Sequence, residues 1–98
     1  MSSVIHVVAH IVAKPGHEAT VRSVLEGFLA PTRGEKGCTK YELFQDASDS
    51  TKFFFIEEWE SAADLEVHSH SAHLTAGKAL LADSLAAAPV VHSLNKIA

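Results

Sequence analysis

Residues 4–13, VIHVVAHIVA, form a β-rich run that is apolar in both registers, and no other feature of the chain constrains its fold as tightly. In an extended strand, successive side chains point to opposite faces. One face here carries Ile5, Val7, Ala9, Ile11 and Ala13; the other carries Val4, His6, Val8, His10 and Val12. A strand that is apolar on both faces is buried on both. Helices of the same chain can cover one side of a sheet built around it. The other side then needs a partner or a closed barrel.

The chain has 98 residues, 47% of them hydrophobic, so a core is possible without metal or disulfide staples. That length predicts one domain spanning residues 1–98. A single cysteine, Cys38, excludes an intrachain disulfide and predicts a reducing compartment, the cytoplasm. The opening MSSVIHVVAH has no early positive charge and no long apolar run, so no signal peptide is expected. No stretch is long enough to suggest a membrane span. The net charge is −4 with no Lys/Arg cluster, which argues against a nucleic-acid or anionic-membrane surface.

Lys14-Pro15-Gly16 breaks the first strand. Over residues 17–30, apolar side chains recur at Val21, Val24, Leu25, Phe28 and Leu29, the spacing of one helical face. Glu18 suits the positive end of that helix, and Pro31 is expected to end or kink it. Gly34 and Gly37 flank a loop. Residues 38–46 read as a second strand, with Tyr41 and Leu43 on one side. After a polar turn, residues 52–60 form a third strand in a hairpin with it. Phe53, Phe55, Glu57 and Trp59 share one face of that strand; Phe54, Ile56 and Glu58 share the other. Ser61 with Asp64 predicts a capped helix to about residue 69. Ser71 can cap a second helix over residues 72–85, and Pro89 introduces a last strand, VVHSLNKI. The order β-α-β-β-α-β is the split βαβ, ferredoxin-like α+β pattern with an antiparallel four-stranded sheet. In that topology the first and third strands are central, and here they are the most apolar. The uncovered sheet face predicts pairing with a second copy into a dimeric α+β barrel.

Chemistry-bearing residues cluster after the third strand. His68, His70 and His73 form H-x-H-x-x-H. On one helix, 70 and 73 share a face while 68 and 70 do not. No cysteine or carboxylate stands at a compelling spacing beside them, and zinc needs several converging ligands. No metal site is therefore expected, and His70 reads as a solvated imidazole. His6 and His10 read as hydrogen-bonded structural histidines, or as substrate-binding or basic groups if a pocket or interface faces them. Trp59 is either a core anchor or an indole donor aimed into a cavity. Glu57, on the same side, must pair or reach solvent, and Tyr41 on the adjacent strand can add a hydroxyl. The chain contains no G-x-S-x-G, G-x-x-x-x-G-K or G-x-G-x-x-G. An enzyme built on it works without a nucleotide or flavin held by a standard module.

Gly37-Cys38 with Tyr41, FFFIEEWES, His68 and His73 in H-x-x-x-x-H, and the Lys-Pro-Gly break after the first strand together resemble a known family. It is the antibiotic-biosynthesis-monooxygenase-like domains, with the small bacterial quinol-monooxygenase type nearest in pattern. Two departures are local: Glu35-Lys36-Gly37 where the family often has Glu-Pro-Gly, and Ala72 where it often has proline. The resemblance implies a homodimer through the open sheet face. It also implies a cofactor-independent monooxygenase that deprotonates a phenolic, quinol or polycyclic aromatic substrate for direct reaction with dioxygen. Under that implication, His68 or His73 is the base and Trp59 the donor to the substrate oxygen. Tyr41 and Glu57 orient the polar groups, and Phe28 and Phe55 form the wall. Haem binding or degradation, isomerisation of a small metabolite, and a non-catalytic dimeric binding module are the alternatives on the same fold.

Overall fold

The computed structural model describes residues 4–98; residues 1–3, which begin the segment read above as lacking a signal peptide, lie outside the described residues. Eight elements follow one another: β1 (Ile5–Val12), α1 (Glu18–Glu26), α2 (Leu29–Arg33), β2 (Cys38–Gln45), β3 (Lys52–Trp59), α3 (Ala62–Ser69), α4 (Ala72–Leu81) and β4 (Val90–Leu94). The strands form one sheet in the order β2-β3-β1-β4, with every neighbouring pair antiparallel. This is the expected ferredoxin-like α+β arrangement, with β1 and β3 in the centre.

β3 alternates buried and half-buried residues along its whole length, as its two-faced apolar pattern requires. β1 does the same from Val7 onward. The helices cover the face that carries Val7, Ala9, Ile11, Phe53 and Phe55, where Val21 and Leu25 of α1 and Leu81 of α4 complete the core. On the other face, Phe44, Val90 and Leu94 are exposed, and the rings of His10 and Phe54 stack with centroids 4.6 Å apart. Among the described residues, no helix is long and apolar enough to cross a membrane.

The helix expected over residues 17–30 is two helices. The break falls at Gly27 and Phe28, not at Pro31, which lies inside the first turn of α2. A first-turn proline is tolerated because its missing N–H would have had no intrahelical partner. The break turns Phe28 inward, against Gly77 of α4, where a Cβ would collide with the Phe28 ring. Ser61 caps α3 as expected, its Oγ accepting from the Asp64 N–H at 3.1 Å. Ser71 occupies the N-cap position of α4 but makes no side-chain cap bond. α4 stops at Leu81, short of residue 85, because Leu85 bridges to Ala13 beside the sheet.

Candidate functional site

Strand alternation puts Phe55, Glu57 and Trp59 of β3 on the helix-covered face, and all three are buried. The sheet register sets Tyr41 of β2 on one side of Glu57 and Val7 of β1 on the other. The last turn of α3 brings His68 over these residues. Its ring lies 4.6 Å from Trp59 and 5.6 Å, edge-on, from Tyr41. The start of α4 supplies His73, α2 supplies the fully buried Thr32, and the loop after α2 supplies Glu35.

These groups form two hydrogen-bonded sets that meet where the His68 ring packs on Trp59. The Trp59 Nε1–H donates to Glu57 Oε1 at 2.8 Å. His68 Nδ1 and Glu35 Oε1 are 2.7 Å apart. His73 Nε2 is 2.8 Å from Thr32 Oγ1 and 3.4 Å from the same Glu35 oxygen. Burial pushes the Glu57 carboxyl above its ordinary value, against the opposing pull of the Trp59 hydrogen bond and the His68 charge. Burial, and after it the charge of Glu57, also raises the Tyr41 phenol. Tyr41 is therefore a neutral hydrogen-bond donor at any pH near 7.

A cavity of about 170 Å³ lies between the sheet and the helices. Ala9, Ile11, Phe28, Phe55, Leu74 and Leu81 make its wall mostly apolar, and Tyr41, Glu57 and His68 bring buried polar groups to it. Lys78, an exposed residue, also borders it. Five of the seven site residues expected from sequence line this cavity: Phe28, Tyr41, Phe55, Glu57 and His68. Trp59 and His73 do not. Trp59 is fully buried with its N–H engaged by Glu57, so it reaches the cavity through that carboxyl group and through His68, whose ring it packs against. His73 stands beside His68, with ring centroids 5.9 Å apart.

His70 is exposed and paired with Glu66 at 2.9 Å, apart from the network. His6 and His10 belong to the opposite sheet face, His6 near Glu58 at 3.6 Å and His10 on Phe54. Glu35 and Thr32 went unrecognised in the sequence. No carboxylate stands at a compelling sequence spacing beside the histidines, yet the fold brings one to them: donor atoms of Glu35, His68 and His73 lie within 4.8 Å of one another. Sequence spacing hides this because the three residues sit on a loop and two different helices. The one signal available was the Glu35-Lys36-Gly37 trio, noted only for its departure from Glu-Pro-Gly.

The split βαβ fold has close counterparts among known proteins. Residues 4–80 match the family model described as antibiotic biosynthesis monooxygenase, and the chain belongs to that family. The crystal structure of PA3566 from Pseudomonas aeruginosa aligns with a TM-score of 0.92 at 34% identity, over 100% of this chain and 98% of that one. Rv0793 of Mycobacterium tuberculosis, named as a candidate monooxygenase, is 32% identical over 73 residues, or 74% of this chain and 71% of that protein. Its structure aligns with a TM-score of 0.91 over 98% of this chain and 97% of that one. YcnE of Bacillus subtilis, also named as a candidate monooxygenase, is 28% identical over 81 residues, 79% of this chain and 85% of its own length.

Proposed function

We propose that the chain is a monooxygenase of a single-ring quinol or closely related phenol, and that the substrate itself supplies the electrons. The observation that carries this reading is the mostly apolar cavity of about 170 Å³ bordered by Tyr41, Glu57 and His68. An apolar protein cavity of ~150 Å³ admits benzene. The volume therefore favours one ring over a polycycle or a tetrapyrrole. Of the two histidines left open by the sequence, the geometry supports His68 as base. Glu35 engages Nδ1, which leaves Nε2 to accept a proton, and the Glu35 carboxylate stabilises the imidazolium that forms. Tyr41 stays neutral and donates to the substrate oxygen.

Deprotonation makes the quinol a stronger reductant. The anion passes one electron to dioxygen, and superoxide and semiquinone then combine at a ring carbon. Loss of water from the resulting peroxide leaves a hydroxyquinone. The balance is hydroquinone + O₂ → hydroxyquinone + H₂O, with all four electrons drawn from the ring. Apolar walls keep water from the charged intermediates. Oxygen uptake with a panel of hydroquinones, measured with a chelator present, should exceed the autoxidation blank. His68→Ala should lower it by roughly 10²–10⁴-fold. Uptake no greater than the blank across the panel refutes the proposal; ring binding without uptake would leave a non-catalytic binding module.

The open sheet face supports a homodimer. Phe44 on one edge strand and Val90 and Leu94 on the other are 49%, 48% and 45% exposed there, with the stacked rings of His10 and Phe54 between the two edges, an apolar face that a second copy can cover. Sedimentation should give twice the chain mass, and Phe44→Lys should shift it toward one. A single-chain mass for the unmutated protein at every concentration tested overturns this pairing.

A further inference from the structure

We propose that Glu35, His68 and His73 bind one divalent ion of the zinc and cobalt class. Each of these residues brings one donor atom within 4.8 Å of the other two, and His68 Nδ1 and His73 Nε2 approach the same carboxylate oxygen, at 2.7 and 3.4 Å. Donors that each sit ~2.0–2.2 Å from zinc stand about 3.0–3.5 Å apart at right to tetrahedral angles. The His73 contact already has that spacing, and the His68 contact needs to open by only roughly 0.3 Å or more to match it.

The donors come from three separate segments and are held in place. His68 packs against Trp59 and Tyr41, and the His73 ring lies against those of Phe28 and His68. Thr32 Oγ1, 2.8 Å from His73 Nε2, offers a further oxygen to the ion or to its water. The side chains of Glu35 and His73 are 18% and 23% exposed, which leaves an ion a way in. Two imidazoles and one carboxylate suit a borderline ion. The set has no thiolate for copper(I) and too few oxygens for calcium.

Occupancy has a chemical consequence. An ion at Nδ1 displaces the proton there, and the neutral ring then carries its proton on Nε2. That is the nitrogen proposed above as the base, so a bound ion stops proton abstraction. This inhibitory half rests on the proposed quinol oxidation; the binding does not.

The test is titration of the chelator-treated, dialysed whole chain with cobalt(II) and with zinc(II), followed by visible absorption and calorimetry. The expected result is one ion per chain, with a cobalt spectrum indicating nitrogen ligation and a zinc-dependent rise in unfolding temperature. Glu35→Gln and His73→Ala, checked for native circular dichroism, should each weaken binding by at least the ~10–100-fold that loss of an outer-shell partner costs. His70→Ala should leave binding unchanged. Absence of saturable binding overturns the proposal, as does binding that survives both Glu35→Gln and His73→Ala or is lost in His70→Ala. If zinc binds but no quinol consumes oxygen in its absence, the site stands and the oxidation does not. If zinc binds and oxidation in saturating zinc runs as fast as without metal, the inhibitory half is wrong.

Discussion

Replacing Trp59 by phenylalanine isolates the contact that holds the buried end of the network. Trp59 has no exposed surface, and its N–H is 2.8 Å from Glu57 Oε1. A hydrogen bond to a charged group contributes about 1.5–3 kcal/mol. The smaller ring also leaves a partly filled void, which costs about 1–2 kcal/mol. Trp59→Phe should therefore destabilise the fold by about 2.5–5 kcal/mol, lowering the unfolding temperature by at least ~10 °C in a domain of this size. The two contributions separate with pH. Burial raises the folded-state pKa of Glu57, so ionising it opposes folding. The stability tied to this group is complete below the unfolded carboxylate value and is lost as pH rises through the raised one. Removing the indole donor raises that pKa further. The charge-linked loss in Trp59→Phe is thus larger at pH 8 than at pH 5, while the packing loss persists at both. Glu57→Gln keeps an acceptor oxygen but no charge, so in that background Trp59→Phe should cost less, with a coupling of about 1–2 kcal/mol. Urea unfolding of the four proteins at both pH values measures it. An equal loss at pH 5 and pH 8, with no coupling to Glu57→Gln, refutes the account.

Gly77→Ala should cost ~1–3 kcal/mol by overpacking, because the added methyl meets the Phe28 ring, and it should alter ring binding by moving the cavity wall. Thermal unfolding and ligand titration read the two effects. Ser61→Ala should lower stability by about 1 kcal/mol through loss of the α3 cap. Ser71→Ala should be near neutral, since the buried Ser71 Oγ has no hydrogen-bond partner; equal losses in the two variants would contradict the assignment. Glu35→Gln should reduce oxygen uptake by roughly 10²-fold or more, as when a histidine base loses its orienting carboxylate. Wild-type rates in steady-state assays would remove Glu35 from the mechanism.

The elements were legible where local physics decides them. Alternation in β3 placed Phe53, Phe55, Glu57 and Trp59 on one buried face, and the Ser61–Asp64 pair marked the start of α3. The break at Gly27 and Phe28 was not legible, because the apolar face runs through it to Leu29. The space beside Gly77 that receives Phe28 exists only once α4 has packed. The site divided in the same way. Cavity-lining residues on β2 and β3 follow from strand period, as does Phe28 from helix period. Glu35 and Thr32 have no periodic signature and enter the network only through α3 and α4.

By itself, then, the sequence determined the βαββαβ order, the two central strands and the buried row that ends in Glu57 and Trp59. Side-chain period and apolar burial act over a few residues and can be read along the chain. Tertiary structure alone decided what those polar groups face. It turned the Trp59 N–H onto Glu57 and set His68 rather than His73 at the cavity. It also brought Glu35, 33 positions away in the chain, to 2.7 Å from His68. Each of these outcomes depends on the direction of a side chain between two packed elements, and no spacing within either element encodes it.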